Sequence, residues 1–153
     1  MTAIYVDADA CPVREEVYRV AGRLGVTVFV VSNGSRPIRP PDLAFVHMVV
    51  VGEAMDAADD WIAEHITAAD ICVTADIPLA ARCLDKGARA VPPNGRPFTE
   101  ANIANALTGR AIAQHLRELG AGSKGPPPFA KSDRSRFLSA LDAAVRAAQR
   151  QPL

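Results

Sequence analysis

Val26-Thr27-Val28-Phe29-Val30-Val31 is the stretch that decides the fold. It is an unbroken apolar run dominated by β-branched residues, without the polar alternation of a half-solvated strand. That pattern predicts a strand buried on both faces, as in a parallel sheet covered by helices. Upstream, residues 3–6 are a second apolar run ending at Asp7. Between the two runs, Val13, Val17, Val20, Ala21 and Leu24 recur at helical spacing, with Pro12 at the start and Gly25 as the stop.

Downstream the alternation repeats. Residues 32–41 (SNGSRPIRPP) are turn formers and predict a loop. Residues 45–51 read as a third strand, and residues 56–66 as a helix with Ala58, Trp61, Ile62 and His65 near one stripe. A fourth strand over 71–74, a helix over 77–86 closed by Gly87, and a short strand over 88–91 follow. Repeated β-α units predict an α/β domain with a mostly parallel five-stranded sheet and helices on both faces.

Past Pro92 the character changes. PPNGRPF reads as a loop, and residues 99–119 as one long helix or two short ones. Residues 120–132, rich in Gly with three consecutive Pro, predict an irregular segment. Residues 133–150 form an amphipathic pattern with Phe137, Leu138, Leu141 and Val145 on its apolar side. The 153 residues are of single-domain size, with a β/α core over 1–91 and a basic helical part over 92–153.

Composition narrows the class. With 49% hydrophobic and 22% charged residues, the chain can bury an ordinary core. Its apolar runs fall well short of the ~18 residues that span a bilayer. The N-terminus opens on a strand, with no basic region leading into an apolar one, and predicts no secretory signal. Three cysteines without metal-ligand spacing fit a reducing, cytoplasmic setting with buried thiols. Cys11 precedes a helix start, which lowers a thiol pKa, but Asp7 and Asp9 oppose that effect; it reads as a small packed residue or cap. His47 and His65 lie in apolar patterns and read as packing or surface residues.

Net charge is zero, but it is unevenly placed. Residues 1–91 carry 8 Lys/Arg against 13 Asp/Glu, and residues 92–153 carry 9 against 4. An acidic part able to hold a cation and a basic part able to hold phosphate suit a polyanionic substrate.

The acidic residues fall where a parallel sheet binds ligands, beyond the C-terminal ends of its strands. Asp7 ends the first strand and Asp9 follows. Asp76 comes just after the fourth strand. Asp56, Asp59 and Asp60 occupy the first turn of the helix after the third strand. Crowded carboxylates repel one another, and a divalent cation relieves that; carboxylate oxygens suit Mg²⁺ or Mn²⁺. Each has a plainer use as well. Asp56, Asp59 and Asp60 suit the positive end of a helix dipole, and Asp76 can cap the helix near Pro78. Asp7 has no evident cap or turn role. Asp70 precedes its strand and belongs at the opposite edge.

Two resemblances use this layout. Tyr5-Val6-Asp7-Ala8-Asp9 with Val30-Val31-Ser32-Asn33 resembles the first two motifs of haloacid-dehalogenase-type phosphatases, which implies a nucleophilic Asp7, an acid/base Asp9 and a phosphate-holding Ser32. That family also expects a Lys and an acidic pair at a later strand end, and neither is placed so here. A broader likeness runs through Val6-Asp7-Ala8-Asp9-Ala10-Cys11-Pro12-Val13, Asp56-Ala57-Ala58-Asp59-Asp60-Trp61-Ile62 and Thr74-Ala75-Asp76-Ile77-Pro78-Leu79-Ala80. It continues in Gly125-Pro126-Pro127-Pro128-Phe129 and Asp133-Arg134-Ser135-Arg136-Phe137-Leu138. In order, these resemble the YaiI/YqxD family of bacterial proteins, which looks related to PIN-like nuclease domains.

The second resemblance implies Asp7, Asp56 and Asp76 as carboxylates for Mg²⁺ or Mn²⁺, with Asp9 and Asp59 supporting them. The resulting expectation is metal-dependent phosphodiester hydrolysis on RNA. Ser32 and Thr74 would bind scissile-phosphate oxygens, while Lys124, Lys131, Arg134 and Arg136 track the backbone by charge. The alternatives are a small-molecule phosphatase and a non-catalytic RNA-binding or interaction domain.

Overall fold

A computed structural model of the protein describes residues 1–8, 12–34, 38–52, 54, 56–104 and 131–150. Five strands, β1 (Ala3–Asp7), β2 (Thr27–Ser32), β3 (Val46–Val50), β4 (Ile71–Val73) and β5 (Arg89–Val91), form one sheet in the order β3-β2-β1-β4-β5. Every pairing is parallel, so all strand C-termini share one edge. The order reverses between β1 and β4, and the crevice at such a reversal is where open parallel sheets bind ligands. The predicted five-stranded α/β sheet is therefore present, and it is wholly parallel.

The helices are α1 (Arg14–Leu24), α2 (Ala57–His65), α3 (Ile77–Asp85) and α4 (Lys131–Arg150), with a further helical turn over 100–104. On one face Val13 at the start of α1 and Val17, Val20 and Ala21 within it join Phe137, Leu141, Val145 and Ala148 of α4, packed over Ile4, Val6, Val28, Val30, Ile71 and Val73. On the other face Ala58 and Ile62 of α2 join Leu79, Ala80 and Cys83 of α3 and Ile103 over Tyr5, Val31, Cys72 and Ala90. The period-two alternation of each strand thus feeds two cores. Among the described residues no helix is long and apolar enough to cross a membrane.

The α4 helix runs parallel to α1. Arg134 meets Glu16 at 3.0 Å near both N-termini, Arg23 pairs with Asp142 further along, and Gln149 Nε2 donates to Leu24 O at 3.2 Å near the ends. The start of α4 therefore sits at the C-terminal edge of the sheet, although it comes 40 residues after β5 in the sequence. Gly95 holds it there. At φ 78° this glycine lies so close that a Cβ would meet the Arg136 carbonyl carbon and the Phe137 nitrogen at 2.5 Å, a contact only glycine accepts. The irregular segment expected over 120–132 lies outside the described residues as far as 130. Lys131 and Ser132 are helical, and Asp133 in the first turn favours the helix dipole there. Most of the expected helix over 99–119 lies outside the described residues.

Asp70 lies at the opposite edge, as its position implied. Its Oδ1 accepts from Ala3 N at 3.0 Å, and its Oδ2 accepts from Thr67 N and Thr67 Oγ1. His47 stacks on Phe29 with ring centroids 5.5 Å apart, and His65 stacks on Trp61 at 3.9 Å. Both histidines are packing residues on the surface.

Candidate acidic site at the strand ends

Asp7 closes β1 and is only 7% exposed. Val6 pairs with Val73 in the β1–β4 register, so Thr74 stands beside Asp7 on the next strand exit. The Thr74 hydroxyl donates to Asp7 Oδ2 at 2.9 Å and its oxygen accepts from Asp76 N at 2.9 Å. Asp76 then caps α3, its Oδ1 accepting from Leu79 N at 2.9 Å. One continuous relay of hydrogen bonds joins β1, β4 and α3. The capping use of Asp76 is realised, and it occupies one carboxylate oxygen.

Asp56 stands at the N-cap position of α2, but its side chain makes no capping bond. The first turn of α2 sorts the next two acids. Asp60 faces out to Arg82, with Nη1 to Oδ1 at 2.8 Å. Asp59 faces the crevice, where burial first, then the charges of Asp7, Asp76 and Asp56, push its carboxyl up to about 6, with Arg82 opposing. First-turn position alone left Asp59 and Asp60 equivalent, the family resemblance favoured Asp59, and the rotation of the helix separates them. Asp7, Asp56, Asp59 and Asp76 thus sit within electrostatic reach of one another.

Oxygen donors of this kind suit Mg²⁺ or Mn²⁺ by chemistry and by charge. Among the described residues, though, no three His, Cys, Asp or Glu side chains stand close enough to share one ion. For Asp7, Asp56, Asp59 and Asp76 to share one ion, these carboxylates must turn toward each other. Asp9 lies outside the described residues, as does Cys11. Ser32 is buried at the end of β2, its carbonyl accepting from Val51 N at 2.8 Å. Thr74 faces Asp7.

The basic residues gather at the start of α4, on the α1 side of the sheet. Arg134 pairs with Glu16, and Arg136 Nη1 donates to Asn94 O at 3.2 Å and pairs with Asp133 at 3.3 Å. Lys131 is exposed, and Lys124 lies outside the described residues. These side chains share an edge with the acids and not a face. The sequence reading missed Glu16, which is buried with its Oε2 lacking a hydrogen-bond partner. Its first-turn position in α1 gave the same dipole signal as any surface acid, so nothing local marked it. Cys72 and Cys83 are free and buried. The hydrogen bond that the Cys72 thiol donates to Cys83, and then burial, push the Cys72 thiol well above the usual range, while accepting that bond lowers Cys83.

The family model described as "Uncharacterized BCR, YaiI/YqxD family" matches residues 5–147. The chain belongs to the YaiI/YqxD family. A UPF0178 protein of Rhodospirillum centenum is 56% identical over 154 residues, covering 98% of this chain and 99% of that one. Another, from Paramagnetospirillum magneticum, is 55% identical over 150 residues and 98% of each chain. No solved structure matches the chain significantly. The YaiI/YqxD match spans the stretches that carry the resemblance, and the family itself is uncharacterised.

Proposed function

We propose that the protein is a Mg²⁺- or Mn²⁺-dependent phosphodiesterase acting on RNA in the cytoplasm. The carrying observation is the placement of Asp7, Asp56, Asp59 and Asp76 around the seam of the sheet, where their charges and burial together raise the Asp59 carboxyl. Uncompensated negative charge there opposes folding, and a divalent cation offsets it. Asp7, Asp56, Asp59 and Asp76, with Asp9 nearby in sequence, would hold the cation, which supplies charge stabilisation and an activated water.

The chain's own residues have separable tasks. Thr74 holds Asp7 in place from the neighbouring strand. Asp76 anchors the α3 N-terminus to the same point. Asp59, its carboxyl raised to about 6 by burial and by the neighbouring acids, gains most directly from a cation that offsets those charges. Thr74, buried with its hydroxyl hydrogen given to Asp7, acts on that carboxylate and not on the scissile phosphate, and Ser32 is buried at the neighbouring strand end. Exposed Lys131 supplies charge for the backbone; Arg134 and Arg136 are already engaged at the α4 start. The free, buried Cys72 and Cys83 suit the reducing cytoplasm.

The test is a labelled single-stranded RNA, with binding followed across salt concentrations and cleavage followed with and without Mn²⁺. Asp7→Asn should abolish cleavage and leave binding nearly intact, because the cation acts mainly on the transition state. Cleavage that survives Asp7→Asn, or turnover of a phosphate monoester in place of RNA, would overturn this reading. Salt-sensitive binding never followed by cleavage would leave a non-catalytic RNA-binding domain.

A further inference from the structure

The two edges of the sheet are built differently. At the β5 edge the returning chain covers the strand, Phe98 N donating to Ala90 O at 2.9 Å. At the β3 edge, Phe45 O and Val51 N turn inward to β2, bonded to Val28 N at 2.9 Å and Ser32 O at 2.8 Å. Alternate residues of a parallel strand face the neighbour, so Val46, Met48 and Val50 turn their backbone groups outward. Leu43 O accepts from Val46 N at 3.2 Å. Among the described residues, nothing meets the N–H of Met48 or of Val50.

Natural edge strands are usually guarded by a charge, a proline or a bulge. From Leu43 through Gly52 there is no charged residue and no proline. Val50 is 68% exposed and Leu43 38% exposed; apart from Met1 they are the exposed large apolar residues among those described. Val50 ends this strand and Leu43 precedes it.

We propose that β3 of a second copy of this chain pairs antiparallel with this edge, about a twofold axis at Met48. An uncharged row of donors and acceptors calls for an uncharged extended partner, and the strand itself is one. Turned about Met48, outward residues meet outward residues: Met48 opposes Met48, and Val50 opposes Val46 of the other copy. Val50 N then donates to Val46 O, and the exposed Val50 side chain lands beside a half-buried Val46. The pairing is isologous and closed, so it stops at a dimer. Asp7 lies two strands away, and the two acidic edges point in opposite directions. One short ladder buries less than the ~1,200–2,000 Å² of a stable interface, so the dimer is reversible.

Sedimentation velocity on the full chain over a concentration series tests this. The wild type should move from monomer to dimer as concentration rises, and Val50→Lys should stay monomeric with an unchanged far-UV circular dichroism spectrum. A second arm reads register in a Cys11→Ser background with a short bis-maleimide. Met48→Cys should cross-link between copies, its opposed Cα atoms being ~5.5 Å apart in such a pair. Val50→Cys should cross-link far less, since Val50 of the two copies would stand ~13 Å apart along the ladder. A wild type that stays monomeric at every concentration overturns the proposal. So does a dimer that Val50→Lys leaves intact, or one in which Val50→Cys cross-links better than Met48→Cys. If Val50→Lys fails to fold, the cysteine variants decide alone.

Discussion

Thr74 donates its hydroxyl hydrogen to Asp7 Oδ2 over 2.9 Å, across the seam where strand order reverses. Both residues are buried, so the bond is shielded from water, and the same oxygen of Thr74 also accepts from Asp76 N. One hydroxyl therefore ties three elements of the acidic site together.

Thr74→Val keeps the side chain's shape and removes that hydroxyl. It leaves Asp7 Oδ2 and Asp76 N without this partner and should cost about 1–3 kcal/mol of stability by urea denaturation. Thr74→Ser should recover most of it. A valine variant as stable as wild type would mean that the bond does not hold Asp7.

Asp59 makes stability fall as pH rises. Its folded pKa of about 6 lies above the ordinary value of 3.8, so the folded state holds the proton more tightly. Between those two values the native state binds more protons than the unfolded state, and stability declines with increasing pH until Asp59 is fully ionised. Asp59→Asn should therefore stabilise the protein at pH 8 in EDTA and give no such gain near pH 3. Urea melts at both pH values measure this; an equal effect at the two would remove the electrostatic explanation.

Glu16 and Arg134 should be coupled. Arg134→Ala leaves the buried Glu16 carboxylate without its 3.0 Å partner, and truncating one member of such a pair is the damaging change. The half-exposed arginine is screened by solvent, so a loss of about 1–2 kcal/mol is expected rather than the larger figure for deep pairs. Glu16→Leu with Arg134→Ala should be more stable than Arg134→Ala alone, a sign that a double-mutant cycle by urea denaturation reads directly. Strict additivity would show that the two side chains do not support each other in docking α4.

The sequence determined the elements. The β-branched run at residues 26–31, the helical spacing from Val13 to Leu24 and the glycine and proline stops are local features, and hydrophobic period follows from backbone geometry alone. They gave the parallel α/β class, and the strand-end rule put Asp7 and Asp76 at one edge and Asp70 at the other. Tertiary structure decided which acids face which. Asp59 and Asp60 are neighbours in the sequence, yet one enters the crevice and the other meets Arg82, because a helical step turns a side chain by ~100° and only packing fixes where that rotation starts. The partner of Asp7 is 67 residues away, and Arg134 reaches Glu16 over 118. No local pattern encodes such a separation; strand order and the docking of α4 beside α1 create it.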